Sequence, residues 1–186
     1  MLRLWIPSLT LLGLATSTHA ACTGPAVNQA TIDLVSSFEQ FRSSPYIDAT
    51  GHPTIGFGHK CSNSQCSDVA FPKPLSEANG YKLLGEDLKV AQNCVTRDTT
   101  SSVVLNANQY GATVSWAFNV GCGAAASSTL IRRLNNGEAA ATVLPQELPK
   151  WNKGNGRVVD GLVRRRRAEV QLANTPTSQP GLPAGC

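Results

Sequence analysis

The sequence predicts an α+β protein, mainly α, with one small antiparallel β-sheet near its N-terminus. Apolar residues recur at helical spacing in most segments after residue 76, whereas residues 45–59 combine strand-like alternation with turn residues. A long helix predicted over residues 76–95 separates the hairpin from the later helices and could join two lobes. We expect residues 21–186 to form one functional unit.

The first twenty residues have the layout of a secretory signal. Arg3 precedes an apolar run over residues 4–14, and small residues end at Ala20. The run is shorter than the roughly 20 residues that a spanning helix needs, which disfavours a membrane anchor. We expect residues 1–20 to be removed, and the mature chain to be secreted, extracellular and without a membrane partner.

A first helix and a hairpin are predicted at the start of the mature chain. The helix follows from apolar residues spaced three apart, namely Ile32, Val35, Phe38 and Phe41. Asn28 is its expected N-cap, and Pro45 should end it by about residue 43. A sharply bent β-hairpin is predicted over residues 45–59, with its turn at residues 49–51.

The rest of the chain is predicted to be mostly helical. The helical segments are residues 76–95, 106–120, 127–135, 137–144 and 162–173. Ser76 is the expected cap of the long helix. Residues 175–185 are rich in Pro, Gly, Ser and Thr, so they are predicted to be irregular.

Six cysteines follow the predicted cleavage point: Cys22, Cys61, Cys66, Cys94, Cys122 and Cys186. An even number in a secreted chain predicts three disulfides. Cys61 with Cys66 is the favoured pair because the loop between them is short. A zinc site of His59, Cys61 and Cys66, with His52 as a fourth ligand, is the competing interpretation. Its spacing lacks the paired short motifs of structural zinc sites, so we expect no metal.

Charge is distributed unevenly. Residues 21–100 carry six basic and eight acidic side chains, and the chain from residue 131 carries nine and four. A basic C-terminal portion suits an anionic partner, and it equally suits solubility alone. No groove-reading or aromatic-interleaved motif accompanies the arginines at 164–167, so we expect no nucleic-acid partner.

Two carboxylates and a hydroxyl fall within the predicted helix and hairpin: Glu39, Asp48 and Thr54. Glu39 is expected about one turn before the helix end, beside Phe38 and Phe41, where the negative helix end and apolar neighbours favour a protonated carboxyl. Asp48 adjoins a polar glycine turn that would keep it ionised. Such a pair, with a hydroxyl that holds water, is what hydrolysis of a glycosidic bond requires.

Eight residues separate Glu39 from Asp48 and five separate Asp48 from Thr54, within the segment YIDATGHPTIGFGH at residues 46–59. This pattern resembles the catalytic segment of phage-type lysozymes, glycoside hydrolase family 24. Residues 118–121, 128–130 and 161–169 are similar to phage endolysin segments in the same order, so the resemblance spans nearly the whole mature chain.

The resemblance implies a two-lobed lysozyme-like fold with a long inter-lobe helix. It implies cleavage of the β-1,4 bond between N-acetylmuramic acid and N-acetylglucosamine in bacterial peptidoglycan, with inversion and without a cofactor. Glu39 would be the general acid, Asp48 the general base, and Thr54 the residue that positions water. The resemblance further places Phe118, Asn119 and Thr129 in the saccharide cleft. Trp151 could supply a sugar-stacking face or could belong to the core.

Two further contacts follow from the resemblance. His59 should pair with Asp87 on the long helix and stabilise the fold. One of Arg164 and Arg165 should reach Glu39 or its surroundings, while the other arginines of 164–167 form a solvated face or a wall-binding patch. The signal, the cysteines and the insert at residues 61–66 depart from typical phage members and indicate a secreted, disulfide-containing relative, as in fungi.

Three alternatives remain open from the sequence. In lytic transglycosylation the sugar's own 6-hydroxyl attacks, so the presence of both Asp48 and Thr54 favours hydrolysis instead. Cleavage of chitin-like polymers is a weaker alternative. A cationic, non-catalytic wall-binding or membrane-disrupting protein would act through its basic helix alone. We expect a monomer.

Overall fold

The computed structural model describes residues 23–48 and 50–184 of the chain. The predicted signal segment, Cys22 and Cys186 lie outside these residues. Within them the chain is mainly helical and carries small antiparallel sheets, which confirms the predicted fold class. None of the described helices is both long and apolar enough to cross a membrane.

The N-terminal lobe consists of a short helix and a three-stranded antiparallel sheet. Helix α1 (Gln29–Ser36) is followed by strands β1 (Arg42–Ile47), β2 (Pro53–Gly56) and β3 (His59–Lys60) in that spatial order. Behind the sheet lies a small core made of Ile55, Cys66, Val69, Leu75 and Leu83. Burial of these residues fixes one face of the hairpin and leaves the loops at its ends accessible.

Helix α1 begins as predicted and ends earlier than predicted. Asn28 is the N-cap, and its side chain accepts a hydrogen bond from the backbone N–H of Thr31. The hydroxyls of Ser36 and Ser37 donate to the carbonyl oxygens of Asp33 and Leu34, at 3.0 and 2.6 Å. Because serine side chains compete in this way for helical carbonyls, they favour termination well before residue 43.

The long helix α2 (Glu77–Asp98) joins the two lobes. The side chain of Ser76 accepts a hydrogen bond from the N–H of Asn79 and caps the helix, as predicted. Helix α2 packs against α1 and β2 on the N-terminal side and against the later helices on the other. Its buried residues Leu84, Leu88, Ala91 and Val95 belong to the main hydrophobic core.

Helix α3 (Ala107–Val120) is the centre of the C-terminal lobe, since ten of its 14 residues are buried. Helix α7 (Asp160–Asn174) packs along it. Between them in sequence come α4 (Cys122–Ala126), α5 (Thr129–Asn135), α6 (Ala140–Glu147), a 3₁₀ turn (Leu148–Lys150) and a hairpin of β5 (Lys153–Gly154) and β6 (Arg157–Val158). The sequence pattern did not predict the short α4. It predicted that α6 begins at residue 137, whereas the helix begins at Ala140, because Gly137 adopts a left-handed φ of 83°.

The predicted irregular tail contains a strand, which corrects the expectation for residues 175–185. Strand β7 (Pro180–Leu182) pairs antiparallel with β4 (Leu105–Asn106), immediately before α3. A Cβ on Gly181 would lie 2.6 Å from the Cβ of Tyr110, so glycine is what allows this close approach. Local composition identified the turn residues but contains no information about a partner so distant in sequence.

Candidate active site

Glu39 lies in the turn that follows α1 and faces the second lobe. Its Oε1 accepts a hydrogen bond from Nη1 of Arg165 at 3.1 Å, and 31% of its side chain is exposed. The prediction that Glu39 lies inside the first helix is wrong, because α1 ends at Ser36. The expectation of mainly apolar surroundings is also incomplete. Phe38 is present, but the guanidinium of Arg165 stacks 5.6 Å above its ring.

The glycine-rich turn after β2 brings the hairpin against Glu39. Gly58 adopts a φ of 87°, which L-residues with a side chain rarely adopt. A Cβ at Gly58 would lie 3.7 Å from Oε2 of Glu39. The two carboxylate oxygens of Glu39 therefore have different neighbours: Oε1 faces Arg165 and Oε2 faces the hairpin.

Asp48 follows β1 and organises the turn of the hairpin. Its Oδ1 accepts three hydrogen bonds, at 2.8 Å from the N–H and the hydroxyl of Thr50 and at 2.9 Å from the N–H of His52. These donors, first among them the N–H of His52, lower the pKa of Asp48 from 3.8 to about 2. Among the described residues none donates a hydrogen bond to Oδ2.

Thr54 lies on β2, where it faces Tyr46 of β1, and it is 2% exposed. Its hydroxyl donates a hydrogen bond to the carbonyl oxygen of His52 at 3.0 Å. Since that bond occupies the hydroxyl proton, the oxygen's lone pairs remain as acceptors. Asp48, His52 and Thr54 are thus tied together at one end of the hairpin, and Oε2 of Glu39 lies near Gly58 in the turn after β2.

The predicted cleft residues lie in different surroundings. Phe118 lines a cavity of about 370 Å³ between the hairpin and the C-terminal lobe, together with Gly58 and His59. Asn119 lines a second cavity of about 410 Å³, which it shares with Trp151. Trp151 is half-buried and meets the ring of the buried Trp116 edge-on at 5.3 Å, so it also belongs to the core.

Thr129 is exposed at the first position of α5 and accepts a hydrogen bond from Arg132 at 3.0 Å. It lines neither the cavity of Phe118 nor that of Asn119 and Trp151. The described structure therefore brings Glu39 and Phe118 to the same glycine turn, Gly58, and places Thr129 elsewhere.

His59 connects the sheet to the long helix. Its Nδ1 lies 2.8 Å from a carboxylate oxygen of Asp87, the partner that the resemblance implied, and its Nε2 lies 3.4 Å from Asp68. Burial raises the pKa of Asp87 from its ordinary value, and the hydrogen bond from His59 opposes part of this effect. The pair fastens β3 to α2 beside the cavity that Phe118 lines.

Two disulfides lie within the described residues. One joins Cys61 to Cys66, the pair favoured by the short loop, and the other joins Cys94 on α2 to Cys122 on α4. Ligand atoms of His59, Cys61 and Asp68 lie within 4.8 Å of one another, a spacing that a metal could bridge. The sulfur of Cys61 is bonded to Cys66, however, so it is not the thiolate that a zinc site requires.

The arginines of 164–167 do not form a single basic face. Arg165 is the one that reaches Glu39, and Arg164 and Arg167 are exposed. Arg166 is 1% exposed and forms an ion pair with the buried Glu169 at 2.7 Å, which corrects the expectation of a solvated or wall-binding side chain. The three-residue spacing of Arg166 and Glu169 on one helix is the signal that could have predicted this pair.

Comparison with known proteins agrees with this fold. Residues 36–169 match the family described as phage lysozyme. The chain is 37% identical over 153 residues to the endolysin of Bacillus phage PZA. This alignment covers 81% of this chain and 56% of that endolysin. The chain thus spans little more than half the length of this relative.

Solved structures of similar fold include a mutant of P22 lysozyme, with a TM-score of 0.66 and 32% identity, covering 81% of this chain and 99% of that one. The muramidase domain of SpmX from Asticaccaulis excentricus superimposes with a TM-score of 0.64 and 29% identity, covering 81% and 98%. The fold and the cleft define a lysozyme-like protein. The chain belongs to the phage lysozyme family.

Proposed function

We propose that this protein is a secreted lysozyme that hydrolyses the β-1,4 bond between N-acetylmuramic acid and N-acetylglucosamine in bacterial peptidoglycan. The observation that carries the proposal is the contrast between two carboxylates at one hairpin. Among the described residues, Oε2 of Glu39 faces the hairpin and forms no hydrogen bond or ion pair, whereas three donors to Oδ1 of Asp48 favour its ionised form.

Glu39 is the proposed general acid. Arg165 holds Oε1, so Oε2 is the oxygen that carries the proton and faces the glycosidic oxygen from the hairpin side. Binding of a saccharide displaces water from the carboxyl group, which favours its protonated form. Proton transfer to the leaving oxygen then allows the bond to break through an oxocarbenium-like transition state.

Asp48 and Thr54 are proposed to act on the attacking water. Oδ1 of Asp48 is occupied by its donors, so Oδ2 is the oxygen that accepts a hydrogen bond from water and then its proton. Thr54 accepts the second hydrogen of the same water through its free lone pairs. A carboxylate with a pKa of about 2 is a weak base, so its larger contribution is to orient the water and stabilise positive charge on the sugar.

Attack from the face opposite the leaving group inverts the anomeric carbon, so the first product should be the α-anomer. Phe118, Asn119 and Trp151 are proposed to contact the glycan along the cleft, with Trp151 offering the exposed part of its ring. All these groups come from one chain, so the proposed active form is a monomer. The two disulfides agree with an oxidising, extracellular location.

Clearing of a suspension of bacterial cell walls distinguishes this enzyme from a cationic wall-binding protein. The two proteins to compare are the wild type and Glu39→Gln, which keeps the shape of the side chain and all surface arginines. A lysozyme loses clearing by a factor of about 10² to 10⁴ in the variant, the usual contribution of general acid–base catalysis. Equal clearing by both proteins would overturn the proposal and favour action through the basic surface.

A further inference from the structure

A buried carboxylate lies behind the candidate active site, on the helix that carries Arg165. Glu169 has no exposed surface, and its neighbours Arg166 and Arg165 are 1% and 5% exposed. Helix α7 packs here against α3, which contributes the hydroxyl of Ser115. None of these four residues belongs to the acid, base and water-positioning set described above.

Glu169 contacts both guanidinium groups. Its Oε1 accepts hydrogen bonds from the hydroxyl of Ser115 and from Nη2 of Arg166, each at 2.8 Å, and lies 3.5 Å from Nε of Arg165. Its Oε2 lies 2.7 Å from Nε of Arg166. One negative charge is therefore shared between two buried cations.

The two cations extend from Glu169 towards the cleft. Arg165 donates to Oε1 of Glu39 at 3.1 Å, and Arg166 donates to the side-chain oxygen of Asn119, also at 3.1 Å. Arg165 thus lies between two carboxylates, one buried and one in the cleft. Stability alone does not require this arrangement, because apolar side chains of similar volume commonly replace buried ion pairs at no cost.

We propose that Glu169 is a positioning residue for the catalytic acid: it holds Arg165 between itself and Glu39 and thereby sets the pH at which Glu39 loses its proton. The inference rests on the proposed function, since it concerns how Glu39 acts within it. Hydrogen bonds from Ser115 and Arg166 to Oε1 hold the carboxylate of Glu169 in place beside Arg165.

The charged groups around Glu39 determine whether it loses its proton more or less readily when Glu169 is neutralised. Arg165 is the cation that contacts it from α7. Asp33 of α1 and Glu77 and Tyr81 of α2 line an open cavity of about 450 Å³ together with Glu39. Asp48 and His52 belong to the facing hairpin, and Asn119 is the polar residue at the end of α3 nearest Arg166.

Neutralising Glu169 removes the negative charge behind Arg165 and leaves its positive charge directed at Glu39. An unopposed cation favours the ionised form of Glu39, so the protonated form that acid catalysis needs is lost at a lower pH. In Glu169→Gln the alkaline limb of the kcat/KM profile should move down by about one pH unit, the shift that a nearby charge produces. On that limb kcat/KM should fall about tenfold at a fixed pH.

The test compares kcat/KM against pH, on purified peptidoglycan, for the wild type, Glu169→Gln and Glu147→Gln. Glu147 is the matched control, since it is 3% exposed, pairs with Arg133 and Lys150, and forms no hydrogen bond or ion pair with Glu39, Arg165 or Glu169. Both variants should lose stability, but only Glu169→Gln should shift the alkaline limb. A limb that coincides with wild type in Glu169→Gln would overturn the inference.

Two further measurements distinguish a failure of the positioning role of Glu169 from a failure of the proposed lysozyme function. If Glu39→Gln retains activity, the proposed function fails; if it is inactive and Glu169→Gln keeps the wild-type limb, only the positioning role fails. A ¹³C NMR titration of the Glu39 carboxyl carbon should show its midpoint moving down in Glu169→Gln. Should this variant not fold, Glu169→Asp, which withdraws the charge by one methylene, should shift the midpoint in the same direction by less, and an unchanged midpoint would contradict the inference.

Discussion

Thr54 shows how a single side chain divides its hydrogen-bonding capacity. It is 2% exposed, and its hydroxyl donates to the carbonyl oxygen of His52, so only its acceptor sites remain for a water molecule. Asp48 has a similar division between Oδ1, which accepts three hydrogen bonds, and Oδ2, which accepts none from the described residues. Each side chain therefore has some hydrogen-bonding positions occupied and others available, and the proposed function uses the available ones.

Thr54→Val is expected to separate the role in catalysis from the role in stability. Valine keeps the shape but removes both the water acceptor and one hydrogen bond, which costs about 1 kcal/mol of unfolding free energy. We expect kcat to fall at least tenfold. Thr113→Val is the matched control, because Thr113 is fully buried and its hydroxyl donates to a carbonyl oxygen within α3. Equal loss of kcat in the two variants would assign Thr54 a structural role only.

The sequence pattern identified Glu39, Asp48 and Thr54 as candidates, but not their environments. The ionised state expected for Asp48 agrees with its three donors. For Glu39 the helical pattern predicted apolar neighbours alone, and only the resemblance led us to expect an arginine there, because Arg165 is 126 residues away in sequence. Helical spacing could not indicate which of two adjacent arginines turns towards the carboxylate.

Among the elements, the hairpin depends on Asp48 for its turn. The Asp48 pKa is lowered in the folded state from 3.8 to about 2, so the carboxylate stabilises the fold fully above pH 4 and loses this contribution as the pH falls through about 2. In Asp48→Asn the deficit in Tm relative to wild type should shrink between pH 5 and pH 2.

Thermal unfolding at a series of pH values measures this deficit. Asp160→Asn serves as the control, because the carboxylate of Asp160 is exposed and accepts no hydrogen bond from the described residues. Its Tm difference from wild type should vary less with pH. A deficit for Asp48→Asn that stays constant down to pH 2 would show that the turn does not depend on the ionised carboxylate.

The two disulfides differ in the length of chain that they close. Cys94 and Cys122 are 28 residues apart, and Cys61 and Cys66 are five apart. Loop entropy predicts that replacing the longer bridge by two alanines costs about 3 to 4 kcal/mol of unfolding free energy, and the shorter about 2. Each pair contains one buried and one half-buried cysteine, so the alanine substitutions are matched. Urea unfolding should show the larger loss for Cys94→Ala with Cys122→Ala, and the reverse order would contradict the entropic account.

The helices with a clear cap and a regular apolar pattern were predicted best from the sequence. The long helix α2 has a capping serine and a regular apolar stripe, and it was predicted almost to its end. Helix α1 was predicted too long, because the hydroxyls of Ser36 and Ser37 end it before the proline can. Helix α4 has only five residues and no periodicity to detect.

At the scale of the whole molecule, the chain forms two lobes joined by α2, with the candidate site where they meet. The fold class followed from sequence because helical periodicity and one hairpin are local features. The strand at Pro180–Leu182 was missed because its partner, β4, lies more than seventy residues earlier. The buried cluster of Arg165, Arg166 and Glu169 likewise depends on the packing of α7 against α3.

The most direct test of the proposed hydrolysis measures new reducing ends released from purified peptidoglycan by the wild type and by Glu39→Gln, with the product masses recorded. We expect hydrated muramic-acid ends from the wild type and loss of nearly all release in the variant. Anhydro ends would contradict hydrolysis and indicate transglycosylation, and an absence of cleavage by the wild type would contradict the proposed lysozyme activity itself.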